Sequence, residues 1–151
     1  MKGVTTMSSQ INTKINDALK SIDVLWCPVM YAIDRAKPND IIIEGYTNNG
    51  IFPCCLQAIE DVTRYLDNGQ IEKVISFYLF DKISEVEPDI VEEIMPLYDN
   101  LERTVEAFRD ALQLTTDYCE ITGDMTRSHH TMAIVEAGIS FQLTIREMCY
   151  D

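Results

Sequence analysis

Positive charge is scarce in this 151-residue chain: twelve lysines and arginines stand against twenty-five acidic side chains, a formal net charge of -13. That deficit argues against direct binding to nucleic acid or to an anionic membrane, because both surfaces repel the protein before contact. Glycine is also sparse, at six residues, and no Gly-rich phosphate loop is present, so a nucleotide cradle is hard to build. The five cysteines, Cys27, Cys54, Cys55, Cys119 and Cys149, are odd in number and lack the paired C-x-x-C spacing of a zinc or redox motif. Reduced thiols fit best. No apolar run approaches the roughly eighteen residues of a membrane span, and the first residues lack a signal-peptide core. The expectation is a cytoplasmic protein without cofactor.

What the chain does have is a hydrophobic content of 46%, enough for one compact domain with a real core. We expect a single domain over 1–151, with 1–8 a flexible N-terminus. Apolar residues at Ile11, Ile15, Leu19, Ile22, Leu25 and Trp26 step by three and four, which predicts a helix from about Ser9 to Arg35, kinked at Pro28. A second helix is expected from about Pro53 to Leu66, ended by Asp67-Asn68-Gly69, and a third from Gln70 to Lys82.

Ser84-Glu85-Val86-Glu87 has the form of a capping box opening the longest helix, which Pro96 kinks or restarts. Its seam runs through Tyr98, Leu101, Val105, Phe108, Leu112, Thr115 and Cys119. The last element, about Ser128 to Cys149, is ambiguous: Ile139 to Ile145 alternates with strand period, but no partner strand is evident, so helix is preferred. The resulting fold class is all-α, an antiparallel four-helix bundle with an additional short helix.

The negative charge is concentrated. Ser84 to Met125 holds twelve acids and two bases, Arg103 and Arg109, and so carries -10 of the -13. On a helix, Asp99, Glu102, Glu106, Asp110, Asp117 and Glu120 fall away from the apolar seam and form an acidic ridge. Such a ridge is either a solubilising surface or a docking face for a basic protein. Asp99-x-x-Glu102 and Asp117-x-x-Glu120 also resemble magnesium-holding carboxylate pairs of helical nucleotide pyrophosphatases, but both lie on one predicted helix, whereas a metal needs carboxylates converging from facing helices. His129-His130 point about 100° apart on a helix and cannot share a metal without irregular backbone. No metal site and no catalytic constellation is expected.

The stretch Val62-Thr63-Arg64-Tyr65-Leu66-Asp67-Asn68-Gly69-Gln70-Ile71 resembles a segment of the Rsd/AlgQ family, in which two helices are joined through a glycine. Tyr65, Leu66 and Gly69 match that pattern; Asp17, Lys37-Pro38 and Ile94-Met95-Pro96-Leu97 follow in the family's order, as does the closing segment through Phe141, Leu143, Ile145 and Glu147. The chain departs from the family at Arg64, where an acidic residue is usual, at Leu19, and at Gln70-Ile71. The resemblance implies a helical bundle that binds the basic promoter-reading domain of a bacterial sigma factor and withholds it from polymerase and promoter. The candidate contact residues are Arg64, Tyr65, Leu66, Gly69 and Ile71, with Glu102, Glu106 and Asp110 added from charge placement alone. The alternatives are an acidic immunity protein or phage-encoded inhibitor of a nucleic-acid-handling enzyme, and a magnesium pyrophosphatase.

Overall fold

A computed structural model describes residues 2–29, 53–58, 61–83, 89–130 and 136–148, the side chains of 2–9, 29 and 130 excepted. In chain order the elements are α1 (Lys2–Ser21), β1 (Leu25–Val29), β2 (Cys54–Ala58), β3 (Val62–Tyr65), β4 (Gln70–Lys82), a π-helical turn (Ile90–Ile94), α2 (Met95–Gln113), β5 (Tyr118–His130) and β6 (Glu136–Met148). The described residues thus form an α/β fold with two α-helices and a mixed six-stranded sheet, which corrects the expected all-α four-helix bundle. The sheet order is β1-β2-β4-β6-β5, with β3 continuing along the β4 edge that β2 occupies. Only β1 and β2 pair in parallel; every other pairing is antiparallel.

The expected first helix stops early. The amide of Val24 donates to the Leu19 carbonyl and that of Asp23 to Lys20, with Asp23 in the left-handed region at φ 59. This is a Schellman termination in which an aspartate takes the place usual for glycine, and Val24 packs into the same core cluster as Leu19. Trp26 and Pro28, read as a continuation of the helix, instead lie in β1, whose only strand partner among the described residues is β2. A proline without an amide proton is tolerated on such an edge.

The expected second and third helices are strands. β3 and β4 form a hairpin through Asp67-Asn68-Gly69: Leu66 and Gln70 are bonded across it, the Asn68 side-chain oxygen accepts from the Gln70 amide, and Gly69 sits at φ 83. The left-handed glycine foreseen in the sequence is there, but it closes a β-hairpin rather than a helix. β4 is buried on both faces, so its apolar residues do not alternate with polar ones and a helical spacing could be read into them. Ile75, Phe77 and Leu79 join the cluster under the helices, while Tyr78 and Phe80 join Cys27, Cys54 and Leu56 on the opposite face.

β6 runs antiparallel to β4 over all thirteen residues and pairs on its other side with β5. Its alternation, Ile139, Phe141, Leu143 and Ile145 toward the helices against Gly138, Ser140, Gln142 and Thr144 away from them, is the strand period set aside in favour of helix. β5 carries a bulge between Thr122 and Thr126, with Gly123 at φ 69.

α2 is the element the sequence marked most clearly. Tyr98, Leu101, Val105, Phe108 and Leu112 are its buried residues, but the helix ends at Gln113, so Thr115 and Cys119 do not extend the seam. Pro96 lies in the first turn after the π-helical segment, whose amides are received by Asp89: its side chain accepts from Val91 and Glu92, its carbonyl from Glu93 and Ile94. The proline therefore restarts the helix. The capping box at Ser84 to Glu87 lies outside the described residues. Phe77, Phe108 and Phe141 meet in one ring cluster, the first at 5.2 Å from Phe108 and 5.3 Å from Phe141 between centroids, locking α2 onto β4 and β6. Each such burial is worth about 1.5–3 kcal/mol. An ion pair from Lys14 to Glu147 ties α1 to β6.

Candidate functional site

The sequence-predicted contact residues fall into two groups in different parts of the molecule. The first is the β3–β4 hairpin. Arg64 stands opposite Glu72, with its Nη1 3.8 Å from the Glu72 Oε1, and Tyr65 stands opposite Ile71. Tyr65 is 64% exposed and Val62 61%, whereas Ile71 is buried, so the proposed apolar corner presents Tyr65 to solvent and keeps Ile71 inside. The helix-to-helix corner implied by the family resemblance is absent; Tyr65, Leu66, Gly69 and Ile71 are together because one hairpin holds them.

Glu72 organises a row of side chains across the sheet. Arg146 donates to its Oε2 at 2.7 Å, and the Arg146 guanidinium lies 4.5 Å from the centre of the Tyr118 ring. The row Arg64, Glu72, Arg146, Tyr118 thus spans β3, β4, β6 and β5 in register. The sheet face then continues in small polar residues, with Gln142 bonded to Ser76 at 3.3 Å and Thr122 to Thr144 at 2.9 Å.

The second group is α2. Glu102, Glu106 and Asp110 are on this helix, but the acidic ridge is shorter than the sequence suggested. Asp117 lies in the turn after α2, where its side chain accepts from the Met148 amide, and Glu120 lies on β5 beside Tyr118. Part of the remaining charge is countered: Arg127 of β5 reaches Glu102 at 2.7 Å and Asp99 at 3.5 Å, and Arg109 reaches Asp110 at 2.8 Å. Glu106 is exposed and has no ion pair among the described residues. At the head of the same helix Ile90, Val91 and Met95 are exposed apolar residues. α2 packs chiefly on α1, β4, β5 and β6, and β3 is not among these neighbours, so hairpin and acidic helix are separate features.

The carboxylates do not converge. Asp99 and Glu102 stand on α2 while Asp117 and Glu120 stand on later elements, and among the described residues no group of three His, Cys, Asp or Glu side chains is placed to hold a metal ion. His129 is exposed near the end of β5. The Cys27, Cys54, Cys55 and Cys119 thiols are buried and not joined in disulfides. Cys55 is not at a helix start but in β2, where burial raises its pKa; burial likewise pushes Cys119 up to about 12. The Cys27 thiol is raised by its hydrogen bond to Cys54 and by burial.

Two polar arrangements had no signal in the linear sequence, because strand pairing and the packing of α1 on the sheet create them. On the sheet face away from the helices, the Tyr78 hydroxyl donates to the Glu136 Oε2 at 2.7 Å and receives the Ser128 hydroxyl at 3.2 Å. Burial, then the Glu136 charge, raises the Tyr78 pKa, so the phenol stays protonated. On the helix side a cavity of about 450 Å³ is lined by Ile11, Asn12, Trp26, Pro28, Gln57, Asp61 and Lys73.

That cavity lies where β2 gives way to β3. Pairing jumps from Gln57 opposite Phe77 to Val62 opposite Val74, five steps along one chain against three along β4. Gln57 is the polar centre of the lining. It is 4% exposed, its Oε1 accepts from the Trp26 indole at 2.7 Å, and its Nε2 donates to the Asn12 Oδ1 at 3.2 Å. Lys73 contacts the Asp61 carboxylate at 3.4 Å and the Thr63 hydroxyl at 3.3 Å.

No protein-family model matches the chain, and none of the curated proteins compared with it matches.

Proposed function

We propose that the protein acts by binding rather than catalysis, as an acidic module that occupies a basic protein surface. The observation that carries this reading is α2, where the exposed apolar residues Ile90, Val91 and Met95 stand at the head of a helix whose outer side bears Asp99, Glu102, Glu106 and Asp110. Apolar anchors beside a predominantly acidic face suit a partner with a basic surface: burial supplies affinity, and the field raises the encounter rate.

The partner we put forward is the DNA-reading helix-turn-helix domain of a bacterial sigma factor, whose basic face must grip phosphates and is therefore open to an acidic competitor. Occupancy would withhold it from promoter and polymerase in the cytoplasm, with an effect set by concentration and affinity. The described residues form a mixed sheet with two α-helices and not the bundle that the Rsd/AlgQ resemblance implies, and its best-matching residues form a hairpin. The partner assignment rests on charge.

The test is binding of the purified protein to the isolated promoter-reading domain of the primary sigma factor. Saturable binding that competes with promoter DNA is expected. Absence of binding, with recovery of a nuclease or toxin from a pull-down, would transfer the reading to an immunity protein or inhibitor. No helix among the described residues is long and apolar enough to cross a membrane.

A further inference from the structure

We propose that the cavity between α1 and the β2–β3 edge is a binding site for a small, uncharged heteroaromatic molecule with an amide-like hydrogen-bonding edge, the chemistry of a nucleobase or its nucleoside. Its volume of about 450 Å³ falls within the range of small-molecule sites. The apolar lining, Trp26, Pro28 and Ile11, offers an indole and a pyrrolidine ring against which a planar body can lie.

The hydrogen-bonding edge comes from side-chain amides. A glutamine offers two N–H donors and two carbonyl lone pairs. The bonds to Trp26 and Asn12 use one donor and one lone pair of Gln57, and they also fix the orientation of the amide plane. What remains is one donor and one acceptor on a buried, oriented group that lines the cavity. That pair is the complement of a nucleobase edge carrying an adjacent acceptor and donor, as adenine does at its exocyclic amine and ring nitrogen. Asn12, on the exposed side of α1, adds a second amide at the same wall.

Charge sets the rest of the specificity. The two ionic residues of the lining, Lys73 and Asp61, contact each other, so the cation is already countered. The Lys73 and Asp61 side chains are 12% and 21% exposed, which makes separating them for a ligand phosphate or carboxylate unfavourable. A protein of net charge -13 also repels anionic ligands at a distance. A neutral nucleoside therefore fits where a nucleotide does not. The inference is independent of the proposed protein partner, since the cavity residues are not among those assigned to the acidic face.

The chain contains one tryptophan, and it lines the cavity, so its emission reports occupancy directly. The experiment titrates the full-length protein with adenosine, cytidine, adenosine monophosphate and phenylalanine, following Trp26 fluorescence and repeating each by calorimetry. Expected is saturable adenosine binding, at least about tenfold weaker for the monophosphate and undetectable for phenylalanine. Asn12→Ala should weaken adenosine about three- to tenfold, the range for one lost neutral hydrogen bond, with the melting curve checking that the fold persists. Gln57→Leu should abolish binding, with the melting curve checking that the fold persists. No saturable binding of either nucleoside would overturn the proposal. So would equal or tighter binding of the monophosphate, preference for phenylalanine, or adenosine affinity unchanged in Asn12→Ala and in folded Gln57→Leu.

Discussion

Replacing Gly138 by alanine distinguishes the sheet from a helical arrangement by the sign of its effect. In β6, a Cβ built at this position lies 2.4 Å from the Tyr78 Cζ, 2.5 Å from its hydroxyl and 2.7 Å from the Leu79 carbonyl oxygen. The backbone oxygen belongs to a residue of β4 paired on both sides, with Cys55 and Ile139, and cannot swing aside, and Tyr78 is fully buried against Phe80, 5.3 Å away between ring centres. Tyr78 must therefore move, which breaks its hydrogen bonds to Glu136 and Ser128. Overpacking of a core costs about 1–3 kcal/mol, and a buried polar group left without its partner about 1–3 kcal/mol more. A loss of about 3 kcal/mol follows, which at this chain length lowers the melting temperature by roughly 6–12 °C. In a helix the same change would stabilise by about 1 kcal/mol, because alanine is the better helix former. Thermal and urea denaturation followed by circular dichroism measure the difference, and a melting temperature unchanged or raised in Gly138→Ala would refute the packing of Tyr78 over Gly138. Combining Gly138→Ala with Tyr78→Leu should be less harmful than the two changes summed, because the clash partner is gone.

Other consequences are as direct. Phe108→Ala opens a cavity at the meeting of α2, β4 and β6 and should cost about 3–5 kcal/mol in urea denaturation; a loss under 1 kcal/mol would remove the ring cluster from the account. Burial holds the Asp81 carboxyl above its ordinary pKa, so the folded state favours its protonated form. Its contribution is therefore present below the unfolded value of about 4 and is lost as pH rises through the higher folded value. Asp81→Asn should accordingly raise stability at neutral pH and leave it unchanged at low pH; an unaltered pH profile would contradict this. Cys27, Cys54, Cys55 and Cys119 should react with an aromatic disulfide reagent far more slowly in the native protein than in urea, and fast native labelling of these positions would contradict their burial.

What could be read in the linear sequence was set by how many faces each element buries. α2 buries one stripe, so Tyr98, Leu101, Val105, Phe108 and Leu112 stood out at helical spacing and all proved buried. α1 was equally plain through Ile11, Ile15 and Leu19, but its end was not, because the left-handed residue is Asp23 rather than a glycine. β4 buries both faces, so Phe77 to Phe80 carried no alternation, and Ile71, Val74, Ile75, Tyr78 and Leu79 mimicked a helix. The strand period of Ile139 to Ile145 is legible only beside a partner strand, and that partner, β4, is the element whose two buried faces hide its own alternation. The candidate residues fared likewise. Tyr65, Leu66 and Gly69 lie near one another because the β3–β4 hairpin, and not a helical corner, holds them. The row through Glu72 and Arg146, the Tyr78 to Glu136 bond and the cavity around Gln57 arise from residues 74, 58 and 31 to 45 positions apart, and only strand register and the packing of α1 on the sheet bring them together.

The association rate with a basic partner tests most directly the claim that the outer side of α2 is a docking face. The triple variant Glu102→Gln, Glu106→Gln, Asp110→Asn leaves the five buried residues of α2 untouched and removes charge from its exposed side. Stopped-flow mixing with the promoter-reading domain of a sigma factor, at low and high salt, should show faster association for the native protein at low salt, a gap that closes as salt rises, and dissociation that changes less. Identical association rates for native and variant protein at low salt would contradict the account.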